Sequence, residues 1–466
     1  MSIHDGITAN IGMKTFLLIT LAALLVFTFG MFATRPSDGS PGKTTLVWVT
    51  DQNPLRTEQT TLFARLHPGD EVSIDPGNGD TQKVIVQCQA GVGPDVFDYW
   101  GEGNFTAFVK SGIAFDLTDE FAKRGIRPQQ EWWPLALPWT VTPDGRVFGV
   151  PCNVGVDAIW FRKDLCDAAH VPYPRDSWSQ QEFIDTAERL TLKGSNGKVV
   201  HYGFLFDFYD GYDEFLPSFG GTLFNKAGTA CTLDSPPSIA CVNFLKDLIY
   251  KYHVSPSPDD EQSMTTGGDW GGLGPIACFR KSLGAMALGG RWWLAQLRGD
   301  IRDRQFRLGS AVPPVIRFPH FSGGGTRAIM VNRQSKHLRE AIEFAVYLAT
   351  KDYSELLNDQ GDALAGPSRF AYTDRYLHNP RDPGQDYHEA FRKTLEMATP
   401  LHGSPFITMT EVDDSITRQF DLVKLDQKSP EQAMRDAAYE INDALKRHVR
   451  RDPNLLKLYL AAGGVL

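Results

Sequence analysis

Basic charge, cysteine and catalytic signature motifs are all scarce in this chain. Its 466 residues carry 47 Lys and Arg against 56 Asp and Glu, a formal net charge of −9. A phosphate-tracking surface needs a basic excess, so this balance excludes a general nucleic-acid binder. The six cysteines include no C-x-x-C pair, which leaves zinc and redox sites without their usual spacing. There is no G-x-x-x-x-G-K-[ST] loop, no H-E-x-x-H helix and no G-x-S-x-G elbow. Nucleotide hydrolysis on a phosphate loop, zinc proteolysis and α/β-hydrolase chemistry therefore lose their signatures. Neither a cofactor nor a metal is expected.

Long apolar runs are also missing, with one exception. The 18 residues from Phe16 to Ala33 carry no charge and follow Lys14. As a helix they span about 27 Å, enough for a bilayer core. The stretch reads as a signal peptide or an N-terminal membrane anchor, and the residues leave both open. The small-x-small cleavage pattern is poor, with Met31 and Phe32 ahead of Thr34, and no cysteine offers a lipid attachment point. The turn-rich RPSDGSPGK that follows reads as a linker, so residues 1–43 are set aside and the folded part is expected from Thr44. Export permits disulfides. Cys231 and Cys241 are close enough in sequence to close a small loop and are the expected pair, separate thiols being the alternative.

What is present is ample material for a core: 42% apolar and 22% charged residues over a length that suits two to four domains. Thr44 to Asp51, Glu71 to Asp75 and Gly93 to Trp100 read as strands, with a helical segment bearing Leu62, Phe63 and Leu66 between the first two. Gly149 to Leu165 is extended in character. Ser179 and Glu182 stand at capping-box spacing ahead of Phe183, Ala187 and Leu190. Leu338, Ala341, Ile342, Ala345 and Ala349 mark a second amphipathic helix. Ser429, Pro430 and Gln432 open a third, which carries Ala433, Ala437, Ile441 and Leu445. Strands alternating with helices indicate a parallel α/β sheet, which favours a ligand site at strand C-terminal ends.

Glycine clusters at Gly267–Gly274 and Ser322–Arg327 lack a dinucleotide pattern and read as hinges or as places of close ligand approach. Asp207, Asp210, Asp213 and Glu214 bunch in sequence, and a glycosidase pair could lie among them. Trp100, Trp270, Trp292, Trp293, Phe208, Tyr209 and Tyr212 sit in polar or glycine-rich stretches. Such rings stack on flat sugar faces while carboxylates and amides take the hydroxyls.

Read in order, LVWVTD, AGVGPDVFDYW, SGIAFDLTDEF, VFGVPCNVGVDAIWFRKDL, FLPSFGGTLFN, LDSPPSIACVNFLKDL, FRKSLGAMALGGRWW and IMVNRQSKHLREAIEFAVYL resemble the family 1 extracellular solute-binding proteins of ABC importers, the group of maltose-binding-protein-like sugar binders. The resemblance covers Thr44 to about His448. It implies a two-lobe periplasmic-binding-protein fold, α/β and of the type 2 class, with a ligand cleft between lobes joined by hinge strands. Lobe 1 would comprise 44–152 and 326–400, and lobe 2 would comprise 153–325 and 401–466. Hinges are expected near Asn153–Val156, Phe321–Thr326 and Pro400–Pro405.

The resemblance further implies a periplasmic or other extracytoplasmic monomer, tethered if the N-terminal helix is uncleaved. It would bind a small-molecule carbohydrate, a neutral oligosaccharide in the first place, deliver it to an ABC permease and catalyse nothing. Site residues carried over are Asp51 and Gln52 after the first strand, then Tyr99, Trp100 and Glu102 after the third. Asn153 lies at the hinge, and Asp207, Tyr209 and Trp270 belong to the middle of the chain. Trp292 is the expected stacking ring, and Glu411 comes from the C-terminal part. Arg291 is either a ligand contact, which would suit an acidic or phosphorylated sugar, or the partner of a cleft carboxylate such as Glu102 or Glu411. A secreted carbohydrate-processing enzyme and a sensory module with a separate partner remain the alternatives.

Overall fold

The β-branched run after the linker forms β1 (Thr44–Val49), which pairs in parallel with β2 (Asp70–Asp75) and β3 (Val96–Trp100). In this computed structural model the described residues are 42–77, 80–195, 197–264, 274–322 and 325–466. The apolar stretch Phe16–Ala33 and Trp270 lie outside them. Counting helices of eight residues or more, α1 (Pro54–Leu66) joins β1 to β2, α2 (Thr81–Gln89) leads to β3, and α3 (Gly101–Ser111) follows it. The chain then runs to β4 (Gly149–Gly155) and, one residue later, to β5 (Asp157–Arg162), which belongs to a different sheet. Val156 is therefore the first crossing between the sheets.

The second sheet is built by β5 together with β6 (Leu192–Lys193), β7 (Val199–Leu205), β8 (Gly284–Gly290) and β9 (Leu308–Ala311), in the order β6-β7-β8-β5-β9. Between them come α4 (Gln180–Leu190), α5 (Phe208–Phe219), α6 (Pro236–Tyr250) and α7 (Leu294–Arg304). The chain returns to the first sheet as β10 (Gly325–Val331), antiparallel to both β3 and β4, giving the order β2-β1-β3-β10-β4. Residues 323 and 324 of the expected second hinge lie outside the described residues; Phe321 just before them pairs with Ala398.

Period-two alternation explains why each sheet is covered on both faces. Leu46 and Trp48 enter a core with Phe63, α8 (Leu338–Tyr347) and α9 (Lys351–Gln360), whereas Val49, Phe97 and Tyr99 enter another with α2 and α3. In the second sheet Ile159 and Phe161 face α4, α5 and α6, while Ala158 and Trp160 face Trp293, Leu297 and α10 (Glu389–Glu396). Fully burying one such side chain is worth about 1.5 to 3 kcal/mol, so these contacts fix which face each helix covers. The C-terminal α11 (Met409–Lys424), α12 (Pro430–Arg451) and α13 (Pro453–Ala461) complete the core of Ile159 and Phe161 through Val412, Ile441 and Tyr459.

Local signals are realised as read. Ser179 Oγ accepts from the Glu182 amide while Glu182 Oε2 accepts from the Ser179 amide at 2.7 Å, and Phe183, Ala187 and Leu190 are buried. Ser429 caps α12, with Pro430 in its first turn.

Two expectations need correction. Cys231 and Cys241 form no disulfide: all six cysteines are free and buried, and Cys241 points from α6 into the core. The segment to residue 400 does not stay with the first sheet. After α9 the chain runs along the boundary, Leu364 pairing with Val154, and α10 packs on β5 and β9. The third crossing thus lies near 361–373 rather than at Pro400–Pro405, because the apolar face of α10, with Phe391 and Leu395, finds its cover on the second sheet.

Candidate functional site

Strand direction brings the chemistry to two facing edges. In the first sheet the C-terminal ends of β1, β3 and β4 and the N-terminal end of β10 share one edge, since Arg327 opposes both Trp100 and Asn153. In the second sheet the C-terminal ends of β7 and β8 and the N-terminal end of β5 share another, since Asp157 opposes Gly290. The one-residue crossing at Val156 joins these edges. The lips of the cleft come close where α3 meets the start of α11: a Cβ placed on Gly103 would lie 3.1 Å from Met409 Cγ. Glu102 stands 3.8 Å from His402 at the same place.

On the first edge, Gln52 and Trp100 are exposed and Glu102 is half-buried. Asp51 is partly exposed and tied into an ion network. Its Oδ1 accepts from Arg56 Nε and Arg327 Nη1, both at 3.1 Å. Burial works against ionisation there, but Arg327 and Arg56 hold the Asp51 carboxyl below its usual range. Arg327 also bonds Asp98 at 3.0 Å, and Arg56 bonds Asp362 at 2.7 Å. The expected hinge residue Asn153 is buried and donates to the same Asp362 at 3.2 Å. The network therefore braces both crossing strands, β4 and the segment at 362–364, against the first sheet. Its members Arg56, Asp98, Arg327 and Asp362 are dispersed in sequence and carried no motif.

Tyr99 does not reach the cleft. It is buried, its hydroxyl donates to Trp139 O at 2.5 Å, and it lies over Gly149, where a Cβ would collide with it at 1.9 Å. Strand alternation sends Trp100 outward and Tyr99 inward.

On the second edge the indole of Trp292 is 36% exposed and lies on Gly290. Asp157, the cross-strand partner of Gly290, is buried beside it. Asp207 caps α5 by accepting from the Tyr209 and Asp210 amides. Tyr209 donates to Asp413 Oδ1 at 2.7 Å, and Ser322 Oγ donates to Asp213 Oδ2 at 3.2 Å. Burial and mutual repulsion push Asp210 up to about 6, Asp213 up to about 7 and Asp157 up to about 8, and raise Glu214 well above the carboxylate range. Sequence reasoning singled out the acids of α5 but missed Asp157 and Asp413, which arrive from β5 and α11. A cavity of about 310 Å³ is lined by Asp207 together with Phe206, Pro256, Glu261 and Pro275. Among the described residues no three His, Cys, Asp or Glu side chains converge to hold a metal ion.

Two further assignments fail. Arg291 is wholly buried and pairs with neither Glu102 nor Glu411. Its guanidinium donates to Ala363 O at 2.8 Å, to Asn358 O at 2.9 Å and to His388 Nδ1, over the Tyr376 ring. Glu411 stands apart from the acid recess, 2.9 Å from His448 and accepting from Thr408. Two residues further on, it is Asp413 that meets Tyr209.

Two α/β lobes joined at closely spaced crossings, with aromatic and acidic side chains on facing sheet edges, define a hinged ligand-binding protein. Residues 48–355 match the family of bacterial extracellular solute-binding proteins, and the chain belongs to that family. These are exported binding proteins rather than enzymes. A binding protein of Brucella abortus is 23% identical over 412 residues, 84% of this chain and 90% of the relative. The arabinooligosaccharide-binding protein of Halalkalibacterium halodurans is 21% identical over 327 residues, 67% of this chain and 64% of that one. Among solved structures, an ABC substrate-binding protein from Listeria monocytogenes in complex with cycloalternan superposes with a TM-score of 0.72 at 21% identity, covering 87% of this chain and 99% of that one. Among the described residues no helix is long and apolar enough to cross a membrane.

Proposed function

We propose that this chain is the extracytoplasmic receptor of an ABC importer, which closes its two lobes on a carbohydrate and hands it intact to a membrane permease. The observation that carries this reading is the exposed Trp292 indole on the same sheet edge as Asp157 and the acids of α5, an edge joined through Val156 to the one that carries Asp51, Gln52, Trp100 and Glu102. A ring that stacks on a pyranose face and acids that accept its hydroxyls are what sugar recognition requires. The sugar and oligosaccharide ligands of its relatives support the same class. Burial of Arg291 removes the guanidinium that would have suited a uronate or sugar phosphate. The receptor acts as a monomer without cofactor or nucleic acid, and Phe16–Ala33 serves as its export signal or its tether.

A thermal-shift screen over neutral, aminated, acidic and phosphorylated mono- and oligosaccharides tests the reading, since a ligand of the native state must raise the melting temperature. The expected result is stabilisation by a sugar that chromatography recovers unchanged, with a smaller radius of gyration by X-ray scattering as the lobes close. Release of a cleavage product would favour the enzyme, and a panel without any stabilising sugar would overturn the carbohydrate assignment.

A further inference from the structure

The two edges of the cleft treat their acids differently. In the first lobe Asp51, Asp98 and Asp362 share Arg56 and Arg327, so each of these three carboxylates has a cation at hydrogen-bond distance, and the fourth acid of that edge, Glu102, stands 3.8 Å from His402. In the second lobe Asp157, Asp207, Asp210, Asp213, Glu214 and Asp413 stand on one edge of the sheet, and among the described residues no lysine, arginine or histidine pairs with any of them. The undescribed internal positions add no basic residue, being 78–79, 196, 265–273 and 323–324. Neutral donors reach only part of the group, namely Ser322 to Asp213, Tyr209 to Asp413 and the first α5 amides to Asp207.

A second, independent observation comes from individual atoms. Asp157 Oδ1 and Glu214 Oε1 are buried and accept no hydrogen bond, in residues only 7% and 1% exposed. A buried carboxylate oxygen without a donor is rare in a folded protein and calls for a partner that arrives from outside. Burial and the nearness of Asp210 and Asp213 raise both acids, as expected where the counter-charge is missing. A sugar hydroxyl would satisfy one oxygen but could not stabilise the ionised form of the cluster. An ammonium brings three donors and the charge together. Trp292, next to Asp157 through Gly290, offers a ring face that also favours a cation.

We propose that this recess receives a cationic group of the ligand, an ammonium carried on a sugar, so that the substrate class is an amino sugar or an aminated oligosaccharide. The assignment rests on the cleft being the carbohydrate site and narrows it.

Isothermal titration calorimetry of the full-length chain in mild detergent tests it. The ligands are glucosamine and its short oligomers, the N-acetylated forms of the same sugars, and neutral gluco-, malto- and arabinooligosaccharides. The expected result is that an aminated sugar binds at least about tenfold more tightly than its N-acetylated and hydroxyl counterparts. Asp210→Asn, which keeps the side chain's size and removes only its charge, should remove most of that preference without lowering the melting temperature. Equal or tighter binding of the N-acetylated or neutral form overturns the ammonium assignment while leaving the sugar receptor standing. Failure of every sugar in the panel to bind overturns the receptor reading and this inference with it.

Discussion

The indole of Trp292 rests on the bare backbone of Gly290, so closely that a methyl carbon at Gly290 would lie 2.1 Å from the ring. Gly290 is in turn paired with Asp157, which sets an aromatic platform and a buried acid on adjacent strands. Replacing Gly290 by alanine must evict the ring, because the clash falls on ring carbons that cannot bend away. Gly290→Ala and Trp292→Ala should each weaken sugar binding by about 2 kcal/mol, and the double variant little more than either. Calorimetry on the three variants reads this out, and full additivity would show that the ring is not the shared cause.

Arg291, one residue along, should behave in the opposite way. Its loss leaves the Ala363 carbonyl and Nδ1 of His388 without their donor in a fully buried place, and takes from the Asn358 carbonyl one of its donors, Asn379 remaining at 2.7 Å. Arg291→Met is expected to destabilise the fold by about 3 to 5 kcal/mol, a melting temperature roughly 10 °C lower. Sugar affinity measured below that transition should stay within about threefold, a change of under 1 kcal/mol. A large affinity loss with an unchanged melt would return Arg291 to the cleft.

Why an exposed ring could be read at Trp292 and the burial of Arg291 could not is a matter of range. Trp292 is exposed because glycines precede it, a signal written next door. Arg291 is buried because of carbonyls 67 and 72 residues further on, which no local pattern announces. The same distinction runs through the fold. Ser179 with Glu182 and Ser429 with Pro430 mark helix starts by bonds within one turn, and both helices start there. The third crossing was misplaced because α10 chooses its sheet by packing on β5 and β9, strands from far earlier in the chain. In the acid recess the four residues from Asp207 to Glu214 were visible as a run, whereas Asp157 and Asp413 join it only after β5 and α11 are in place.

The thiols give a test of the fold itself. Cys88, Cys152, Cys166, Cys231, Cys241 and Cys278 are buried, and burial raises each of them. A thiol kept protonated and out of solvent does not react. Native protein should therefore give almost no colour with a thiol reagent such as dithionitrobenzoate, and all six should react after unfolding without reductant. Four reactive thiols in denaturant would mean that Cys231 and Cys241 are bridged after all.

Stability should depend on pH through two groups of opposite sign. His388 is buried, accepts from Arg291 and faces Asp382 at 3.3 Å. Burial, then Arg291, pulls it down to about 4 against the attraction of Asp382. Below about pH 6.5 the unfolded imidazole takes a proton that the folded one refuses, so His388 lowers stability as pH falls from about 6.5 to about 4. The acid recess acts the other way. Folded Asp210, Asp213 and Asp157 keep protons up to about 6, 7 and 8, whereas unfolded aspartate releases them near 4. Between those limits the native state binds more protons, so the recess loses stability as pH rises. Asp213→Asn cannot ionise and should escape that loss. Its melting temperature should match or trail the parent near pH 4 and exceed it at pH 8, by on the order of 2 kcal/mol, or a few degrees. A difference between the two proteins that stays constant from pH 4 to pH 8 would mean that Asp213 is ionised throughout. The parent should also lose part of its pH dependence when an aminated sugar fills the recess, because the ammonium then offsets the charge that rising pH creates.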